Sequence, residues 1–251
     1  MRKLDYDRLI SEIQEWIIDY CKFAKADGIV VGISGGIDSA VTSTLCVNAL
    51  GKDAVIGLGL PCLSNSKDLS DAKQLVAQLG IEFIILDLSS VYEEFMKITT
   101  NVIESNNRAT ANLKARLRMV AWYFAAQSKG NYLIGGTGNR TELAIGYFTK
   151  YGDGGVDFEP IGGLYKCEVK EIARRLNVPE NIIKKPPSAG LWEGQTDEGE
   201  IGITYDVIDE ILYRIDNNFD LSDLDKSDVK KVKKMIKLSQ HKLKSPPIYL
   251  P

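Results

Sequence analysis

The residues of this sequence best suited to chemistry form the string SGGIDS at positions 34–39. An apolar run typical of a strand precedes it (28–33, GIVVGI), and a helix-forming run follows it (40–50). A strand that turns on two glycines into a helix N-terminus directs several backbone N–H groups and the helix dipole at one point. The two serines add hydroxyl donors, and Asp38 can hold a magnesium ion that neutralises phosphate charge. The string therefore predicts a phosphate-binding loop.

Two common nucleotide loops do not fit this string. A Walker A loop ends in a Lys-Ser or Lys-Thr pair, and the dinucleotide fingerprint has a third glycine for close packing of helix and strand. SGGIDS instead resembles the pyrophosphate loop of the N-type ATP pyrophosphatases, which cleave ATP between the α and β phosphates and transfer AMP to an oxygen. The alternative is a turn rich in serine and glycine in which Asp38 only caps the helix.

Length and charge narrow the class of protein. The 251 residues can bury one full core, so we expect a single domain over 1–251. A net charge of -3 argues against general affinity for nucleic acid, which depends on clustered positive charge. A small ligand is favoured instead.

The N-terminal residues carry acids every few positions and lack the apolar core of a signal peptide, and no run approaches ~20 apolar residues. We therefore expect a cytoplasmic protein with no membrane partner. The four cysteines are widely spaced and the sequence has one histidine, so a zinc site is not expected.

Strand-like and helical runs alternate along the first half of the chain. The strand-like runs are 28–34, 54–60, 82–88 and 131–137, with helical periodicity between them. Such alternation requires right-handed crossovers, which place helices on both faces of a parallel sheet and ligands at the carboxyl ends of the strands. We predict an α/β fold with a doubly wound, mostly parallel five-stranded sheet and helices on both faces, similar to the adenine nucleotide alpha hydrolases.

A second polar segment, GGTGNRTE at 135–142, follows the fourth strand-like run and should reach the same edge as the loop. Thr137 can donate to a ribose or a phosphate, and Glu142 is placed to share a magnesium ion with Asp38. The alternative is a glycine turn with Glu142 in the first turn of a helix.

The sequence from its N-terminal helix to its C-terminus resembles ammonia-dependent NAD synthetase. The strings that carry the resemblance are SGGIDS, GTGNRTE, YFTKYGDGGVD (147–157), PIGGLYK (160–166), KPPSAGLWEGQTDE (185–198) and HK (241–242). Each string alone is modest support, whereas their order and spacing together are specific.

The resemblance implies a reaction in two steps. ATP adenylates the nicotinate carboxylate of deamido-NAD (nicotinic acid adenine dinucleotide) and releases pyrophosphate, and ammonia then attacks the acyl adenylate and releases AMP. A carboxylate is a poor electrophile, and adenylation gives it a leaving group. The protein must then place the reactants, spread phosphate charge and exclude water.

The resemblance also implies the residues of the ATP side. Those that bind ATP are Gly32, Ile33, Ser34, Gly35, Gly36, Ile37, Asp38, Ser39, Thr137, Lys166 and Ser188. Asp38 and Glu142 are the magnesium ligands, and Asp38, Lys166 and Asp153 are catalytic. Asp153 is the candidate for binding ammonium and accepting its proton, since an acid beside the acyl carbon can do both. The family usually has threonine at the position of Ser188, and serine keeps the hydroxyl.

On the dinucleotide side, the residues that the resemblance implies are Arg116, Lys150, Asp157, His241 and Lys242. The basic residues suit a pyrophosphate, and Asp157 suits a ribose or an amide.

Two further segments carry hypotheses. The helix predicted over 112–127 is apolar around most of its circumference. It is either a core helix with snorkelling arginines or, as the resemblance favours, a homodimer interface that helps form the dinucleotide site. Residues 184–199 lack apolar periodicity and are a candidate lid over the adenylate, with Trp192 as its test position.

Other functions compete with this interpretation. A different ATP pyrophosphatase, such as the synthetase part of GMP synthetase or a tRNA thiolation enzyme, would share the loop. A thiolation enzyme should carry paired catalytic cysteines or a basic RNA-binding module, which this sequence lacks. A non-catalytic adenine nucleotide sensor would not need both magnesium ligands and a second phosphate site. No glutaminase domain is visible, so free ammonia is the expected nitrogen donor.

Overall fold

A parallel sheet forms the centre of the computed structural model, which describes residues 2–188 and 196–250. In these residues the sheet has the strands β1 (Gly28–Gly32), β2 (Val55–Gly59), β3 (Glu82–Ile85) and β4 (Tyr132–Gly135). Their order is β3-β2-β1-β4, and every neighbouring pair is parallel. The two central strands are apolar along their length because helices cover both of their faces.

Helices follow the strands as the periodicity predicts. Those before the fourth strand are α1 (Tyr6–Ala24), α2 (Ile37–Leu50), α3 (Ser66–Leu79), α4 (Ser89–Thr100) and α5 (Asn107–Lys129). Those after it are α6 (Arg140–Ile145), α7 (Lys166–Arg175), α8 (Glu180–Ile183), α9 (Asp197–Ile201), α10 (Tyr205–Asp216) and α11 (Lys226–Ser239). None of the helices in the described part of the chain is both long enough and apolar enough to span a membrane.

The prediction of helices on both faces of the sheet is confirmed. Ile29 and Val31 of β1 face one apolar cluster, which also contains residues of α1, α2, α3 and α7. Val30, the residue between them, belongs to a second cluster with residues of β2, β4 and α5. Alternate residues of one strand thus enter separate cores, as the two-residue period of a strand requires.

The predicted five strands are wrong for the described residues, which form four. The segment after β4 returns alongside that strand, but its pairing is limited to one parallel bridge between Phe158 and Gly135. Its backbone bonds are Gly136 N–H to Phe158 O (2.8 Å) and Asp157 N–H to Ile134 O (3.0 Å). The Asp157 side chain, rather than a backbone carbonyl, then accepts from Ile134 N–H at 2.7 Å. The Asp157 carboxylate takes the place of a backbone carbonyl in the hydrogen bonds between the strands. The pairing therefore ends before a fifth strand forms.

The strand order reverses at β1, which is where this sheet positions its site. The chain runs outward from β1 through β2 to β3 and then returns to place β4 on the other side of β1. At such a reversal the loops after the two neighbouring strands diverge and leave a crevice at their carboxyl ends. Here those loops are the SGGIDS string and the segment at 136–139.

Candidate active site

The loop at 33–36 joins β1 to α2 and is held by its own serines. Ser39 donates to Gly36 O at 2.9 Å, and its oxygen accepts from Ser34 N–H at 3.3 Å. The two serine hydroxyl oxygens lie 3.1 Å apart. Gly36 is the N-cap residue of α2 and has no side chain to occupy the first N–H groups of that helix. The loop therefore presents amides and hydroxyls together at a helix N-terminus, which suits an anion.

Gly35 is required by both its conformation and its neighbour. Its φ is 79°, in the left-handed region that favours glycine. A Cβ at this position would lie 2.3 Å from the backbone oxygen of Asp68 in α3. The loop thus rests directly on the first turn of α3, so any side chain here would displace it.

A buried lysine lies beside this loop. Lys166 is the first residue of α7, and its side chain is 2% exposed. Its Nζ lies 2.5 Å from Oδ2 of Asp38, in the first turn of α2, and 2.9 Å from Oε1 of Glu142, in α6. The structure therefore brings three of the predicted ATP-side residues together, although 128 residues separate Asp38 from Lys166.

Burial and charge shift the pKa values of this cluster. Burial by itself lowers the pKa of the Lys166 amine, but the carboxylates of Asp38 and Glu142 outweigh it and raise that pKa. Burial, followed by the negative charge of Asp38, raises the pKa of Glu142 to about 7. The lysine therefore stays protonated at neutral pH and donates to both acids.

Asn139 fixes the geometry of both carboxylates, and sequence reasoning assigned it no role. Its Nδ2 donates to Oδ1 of Asp38 at 2.8 Å, and its Oδ1 accepts from the N–H of Glu142 at 3.0 Å. The side chain of Glu142 in turn accepts from Asn139 N–H, and these two bonds form a capping box at the start of α6. The S/T/D/N-x-x-E spacing of a capping box was the available signal.

Tyr205 and Asp209 of α10 complete the surroundings, and sequence reasoning missed both. The hydroxyl of Tyr205 donates to Asp197 at 3.0 Å. Asp209 accepts from the hydroxyl of Thr141 at 2.5 Å and from the N–H of Cys167 at 2.9 Å. These contacts fix the start of α7 and therefore the position of Lys166. Only tertiary contacts identify them, because helical periodicity does not mark one buried acid or phenol.

A small cavity lies next to this cluster, on the side of the segment after β4. Its volume is about 40 Å³, and its lining includes Thr137, Glu142, Phe148, Asp153 and Glu159. Thr137 and Asp153, both predicted site residues, thus meet at one cavity with Glu142. That volume suits one water molecule or ammonium ion.

Glu159 is a lining residue that sequence reasoning missed. Its Oε2 accepts from Gly138 N–H at 2.9 Å, and a Cβ at Gly136 would lie 2.3 Å from the same oxygen. Burial raises its pKa to about 8, although the bond from Gly138 acts in the opposite direction. Asp153 is more exposed, and its Oδ1 accepts from Thr149 N–H at 2.9 Å.

Four of the predicted dinucleotide residues meet through backbone carbonyls. Lys150 Nζ donates to His241 O at 2.7 Å, and Arg116 Nη2 donates to Lys150 O at 3.5 Å. Lys242 Nζ donates to the carbonyls of Gly146 and Phe148, both at 2.6 Å. The 3₁₀ turn Gln240–Lys242, which follows α11, is thereby brought to the loop at 146–151.

Asp157 is not part of that group. Its carboxylate accepts from the Tyr123 hydroxyl at 3.0 Å and from Ile134 N–H at 2.7 Å, beneath the edge of β4. Both carboxylate oxygens of Asp157 are therefore already hydrogen-bonded to neighbouring parts of the fold.

The predicted lid is only partly described. Ser188 is exposed and precedes residues 189–195, which lie outside the described residues, so the hypothesis about Trp192 stays a prediction. Lys185 Nζ, three residues before Ser188, donates to Gly35 O at 3.3 Å. The stem of this segment therefore reaches the phosphate loop.

Comparison with known proteins shows the family of the chain. Residues 9–246 match the NAD synthase family. The NH(3)-dependent NAD(+) synthetase of Methanosarcina acetivorans is 46% identical over 98% of both chains. Among solved structures, NMN synthetase from Francisella tularensis has a TM-score of 0.90 at 36% identity, covering 98% of this chain and 99% of that one. NH3-dependent NAD synthetase from Campylobacter jejuni has a TM-score of 0.85 at 34% identity, covering 99% and 100%.

Coverage and identity of this extent exceed a likeness of fold alone. The phosphate loop, the buried lysine and the basic group all lie within the matched residues. The chain therefore belongs to the NAD synthase family, the ligases that form NAD.

Proposed function

We propose that this protein amidates deamido-NAD to NAD with ammonia, at the expense of ATP cleaved to AMP and pyrophosphate. The observation that carries the proposal is the meeting of the phosphate loop with the buried Asp38–Lys166–Glu142 cluster at the switch point of the sheet. A fixed positive charge beside an anion-binding loop suits charge that moves onto a leaving pyrophosphate.

The first step forms the acyl adenylate. An oxygen of the nicotinate carboxylate attacks the α phosphorus of ATP, the bond from that phosphorus to the bridging oxygen breaks, and pyrophosphate leaves. The amides and hydroxyls of the loop hold the phosphates, while the protonated Lys166 stabilises the developing negative charge. Asn139 keeps Asp38 and Glu142 oriented toward that lysine.

A magnesium ion fits the donor chemistry of this cluster. Asp38 and Glu142 converge on one positive charge, and Mg²⁺ is commonly bound by one or two carboxylates together with substrate phosphates. Oxygens of ATP would complete the shell of such an ion. When bound, the ion neutralises phosphate charge.

The second step transfers nitrogen. Ammonia attacks the acyl carbon, the bond from that carbon to the AMP oxygen breaks, and one proton of the new ammonium group must be removed. The cavity lined by Thr137, Asp153 and Glu159 supports binding of ammonium near the cluster, with Asp153 as the acceptor of that proton.

Nicotinic acid mononucleotide is a second candidate for the acid substrate. The likeness to a structure described as NMN synthetase favours nicotinic acid mononucleotide as an alternative acceptor of ammonia. The four-member basic group of Arg116, Lys150, His241 and Lys242 supports the dinucleotide, since a pyrophosphate offers oxygens on two phosphorus atoms to a spread group of donors.

One assay tests both the reaction and the nitrogen donor. Purified protein with ATP, magnesium and deamido-NAD should release pyrophosphate, and ammonium should then yield NAD and AMP in equal amounts. Glutamine free of ammonia should give no NAD, and nicotinic acid mononucleotide should give a lower kcat/KM. If neither deamido-NAD nor nicotinic acid mononucleotide caused pyrophosphate to be released, the proposal would be refuted. NAD formed from glutamine would refute the choice of ammonia.

We further propose a homodimer through α5. Val120 and Phe124 of this helix are 59% and 72% exposed, whereas Trp122 lies against β1, within 2.8 Å of a Cβ built at Gly32. Exposed large apolar side chains on a helix face support a subunit contact. The outward positions are therefore the better test of the interface, because a charge at Trp122 would disturb the core.

The test compares two variants, Phe124→Glu at the outward face of α5 and Trp122→Glu at its inward face. Phe124→Glu should give a folded monomer of 27.8 kDa by light scattering, while Trp122→Glu should lose its cooperative melting transition. A native protein that is already monomeric would rule the dimer out.

A further inference from the structure

Lys185 lies outside the Asp38–Lys166–Glu142 cluster, and the reaction as described gives it no role. Its Nζ donates to Asp68 Oδ1 at 2.5 Å, to Asp71 Oδ2 at 2.9 Å and to Gly35 O at 3.3 Å. An ammonium group has three donors, so each has one acceptor. Two of these acceptors belong to α3, and the third belongs to the phosphate loop.

The surroundings make this contact more than a surface ion pair. The side chain of Lys185 is 24% exposed and that of Asp71 is 8% exposed. Asn181 donates to the other oxygen of Asp71 at 2.9 Å, so that carboxylate is fixed from two sides. Charge-assisted hydrogen bonds with this degree of burial are stronger than exposed ones.

The contact with Gly35 sets the direction of a loop peptide. In a planar trans peptide, the carbonyl of Gly35 and the N–H of Gly36 point in opposite directions. Lys185 holds the carbonyl toward α3, so the N–H of Gly36 faces the loop interior, where Ser34 Oγ accepts it at 3.2 Å. A phosphate oxygen bound in the loop would meet the same N–H.

Because glycine has no side chain to restrain this peptide, its direction depends on hydrogen bonds, namely that of Gly36 N–H to Ser34 within the loop and that of Gly35 O to Lys185 from outside it. We propose that Lys185 is a positioning residue for ATP: it anchors the Gly35 carbonyl to α3 and so keeps the loop amides directed at the phosphates. This inference rests on the proposed use of ATP at the loop.

An alternative effect of Lys185 is charge balance alone. Without the lysine, Asp68 and Asp71 would be two uncompensated acids near a bound polyphosphate and would weaken its binding by repulsion. The two explanations differ once the acids are also neutralised. Anchoring predicts that ATP binding stays weak, and charge balance predicts that it returns.

Thermal-shift titration with ATP and magnesium, and separately with deamido-NAD, measures binding apart from turnover, because a ligand raises the melting temperature according to its dissociation constant. Lys185→Met should weaken ATP about tenfold to a hundredfold, as for loss of a charge-assisted hydrogen bond, and leave deamido-NAD unchanged. Lys97→Met is the matched control, since Lys97 is 75% exposed and pairs with the exposed Glu94 at 3.5 Å, outside the candidate lid. It should match the native protein with both ligands.

The variant that combines Lys185→Met with Asp68→Asn and Asp71→Asn separates the explanations and removes the unpaired acids that threaten folding. Weak ATP binding in this variant, with native deamido-NAD binding, supports anchoring. Native ATP binding in either Lys185 variant overturns the proposal. If ATP does not stabilise even the native protein, the proposed function fails instead.

Discussion

The two halves of the candidate site are built differently. On the ATP side, charged groups pair with one another under burial, as Lys166 does with Asp38 and Glu142. On the proposed dinucleotide side, the hydrogen bonds of Lys150 and Lys242 within the described residues go to backbone carbonyls, and each amine also lies over an aromatic ring, that of Tyr151 and that of Phe148 respectively. Within residues 2–188 and 196–250, neither of these lysines, nor Arg116 or His241, forms an ion pair.

The difference shows which contacts hold each half of the site in place. On the proposed ATP side, order comes from the pairing of Lys166 with both acids. The dinucleotide side keeps positive charge that a ligand can neutralise, and its carbonyl contacts hold the residues in place meanwhile. Substitutions that leave a buried charge unpaired should therefore damage both the fold and the chemistry on the first side, whereas substitutions on the second side should mainly weaken binding.

The largest effect is expected from Lys166→Met. Removal of the lysine leaves two carboxylates facing each other under burial, so we expect activity below detection and unfolding free energy reduced by about 3–5 kcal/mol. Urea unfolding and pyrophosphate release measure the two effects. Lys170→Met, one turn later in α7, is the control and should change neither by a comparable amount. A stable, active Lys166→Met protein would contradict the proposed difference between the two halves.

A smaller and more selective effect is expected from Lys150→Met. It removes one cation from the basic group, so the KM for deamido-NAD should rise about tenfold, while the KM for ATP and the melting temperature stay near native values. Steady-state kinetics with each substrate varied in turn give the result. Lys237→Met, exposed on α11, is the control. A rise in the KM for ATP instead would place Lys150 on the wrong side.

The narrowest effect is confined to the pH dependence of stability and concerns Glu159 in the lining of the cavity. Because burial raises the pKa of Glu159 to about 8, the folded protein holds a proton that the unfolded chain releases near the ordinary value of 4.5. The stability that this proton supplies is complete below about pH 4.5 and is lost as the pH rises through 8. Glu159→Gln should therefore remove a decline in unfolding free energy between pH 5 and 8.

Urea unfolding across that pH range tests this expectation. Glu104→Gln, at an exposed position, should keep the decline. A native decline in the Glu159→Gln protein would show that Glu159 is not the group responsible.

Sequence patterns were sufficient where the chemistry is local. The phosphate loop lies within a few residues, and the buried strand that precedes it is a continuous apolar run. The strand count was wrong because the side chain of Asp157, which no period reveals, replaces a backbone acceptor beside β4.

Residues whose roles depend on distant partners could not be found in this way. Lys166 and Asp38 are 128 positions apart, and only the resemblance to a family connected them. Lys185, Glu159 and Tyr205 carry no local signature, since their contacts arise when separate elements pack. A single lysine or acid in a sequence is usually solvated, so its burial is visible only in the fold.

Pyrophosphate release by Asp38→Asn tests the central claim most directly. The amide keeps the size of the carboxylate but loses the charge that pairs with Lys166 at 2.5 Å and that would hold magnesium. With ATP, magnesium and deamido-NAD, and without ammonium, the native protein should release pyrophosphate. The variant should release none while it keeps the circular dichroism spectrum of a folded protein. An unchanged pyrophosphate yield from folded Asp38→Asn would contradict the account.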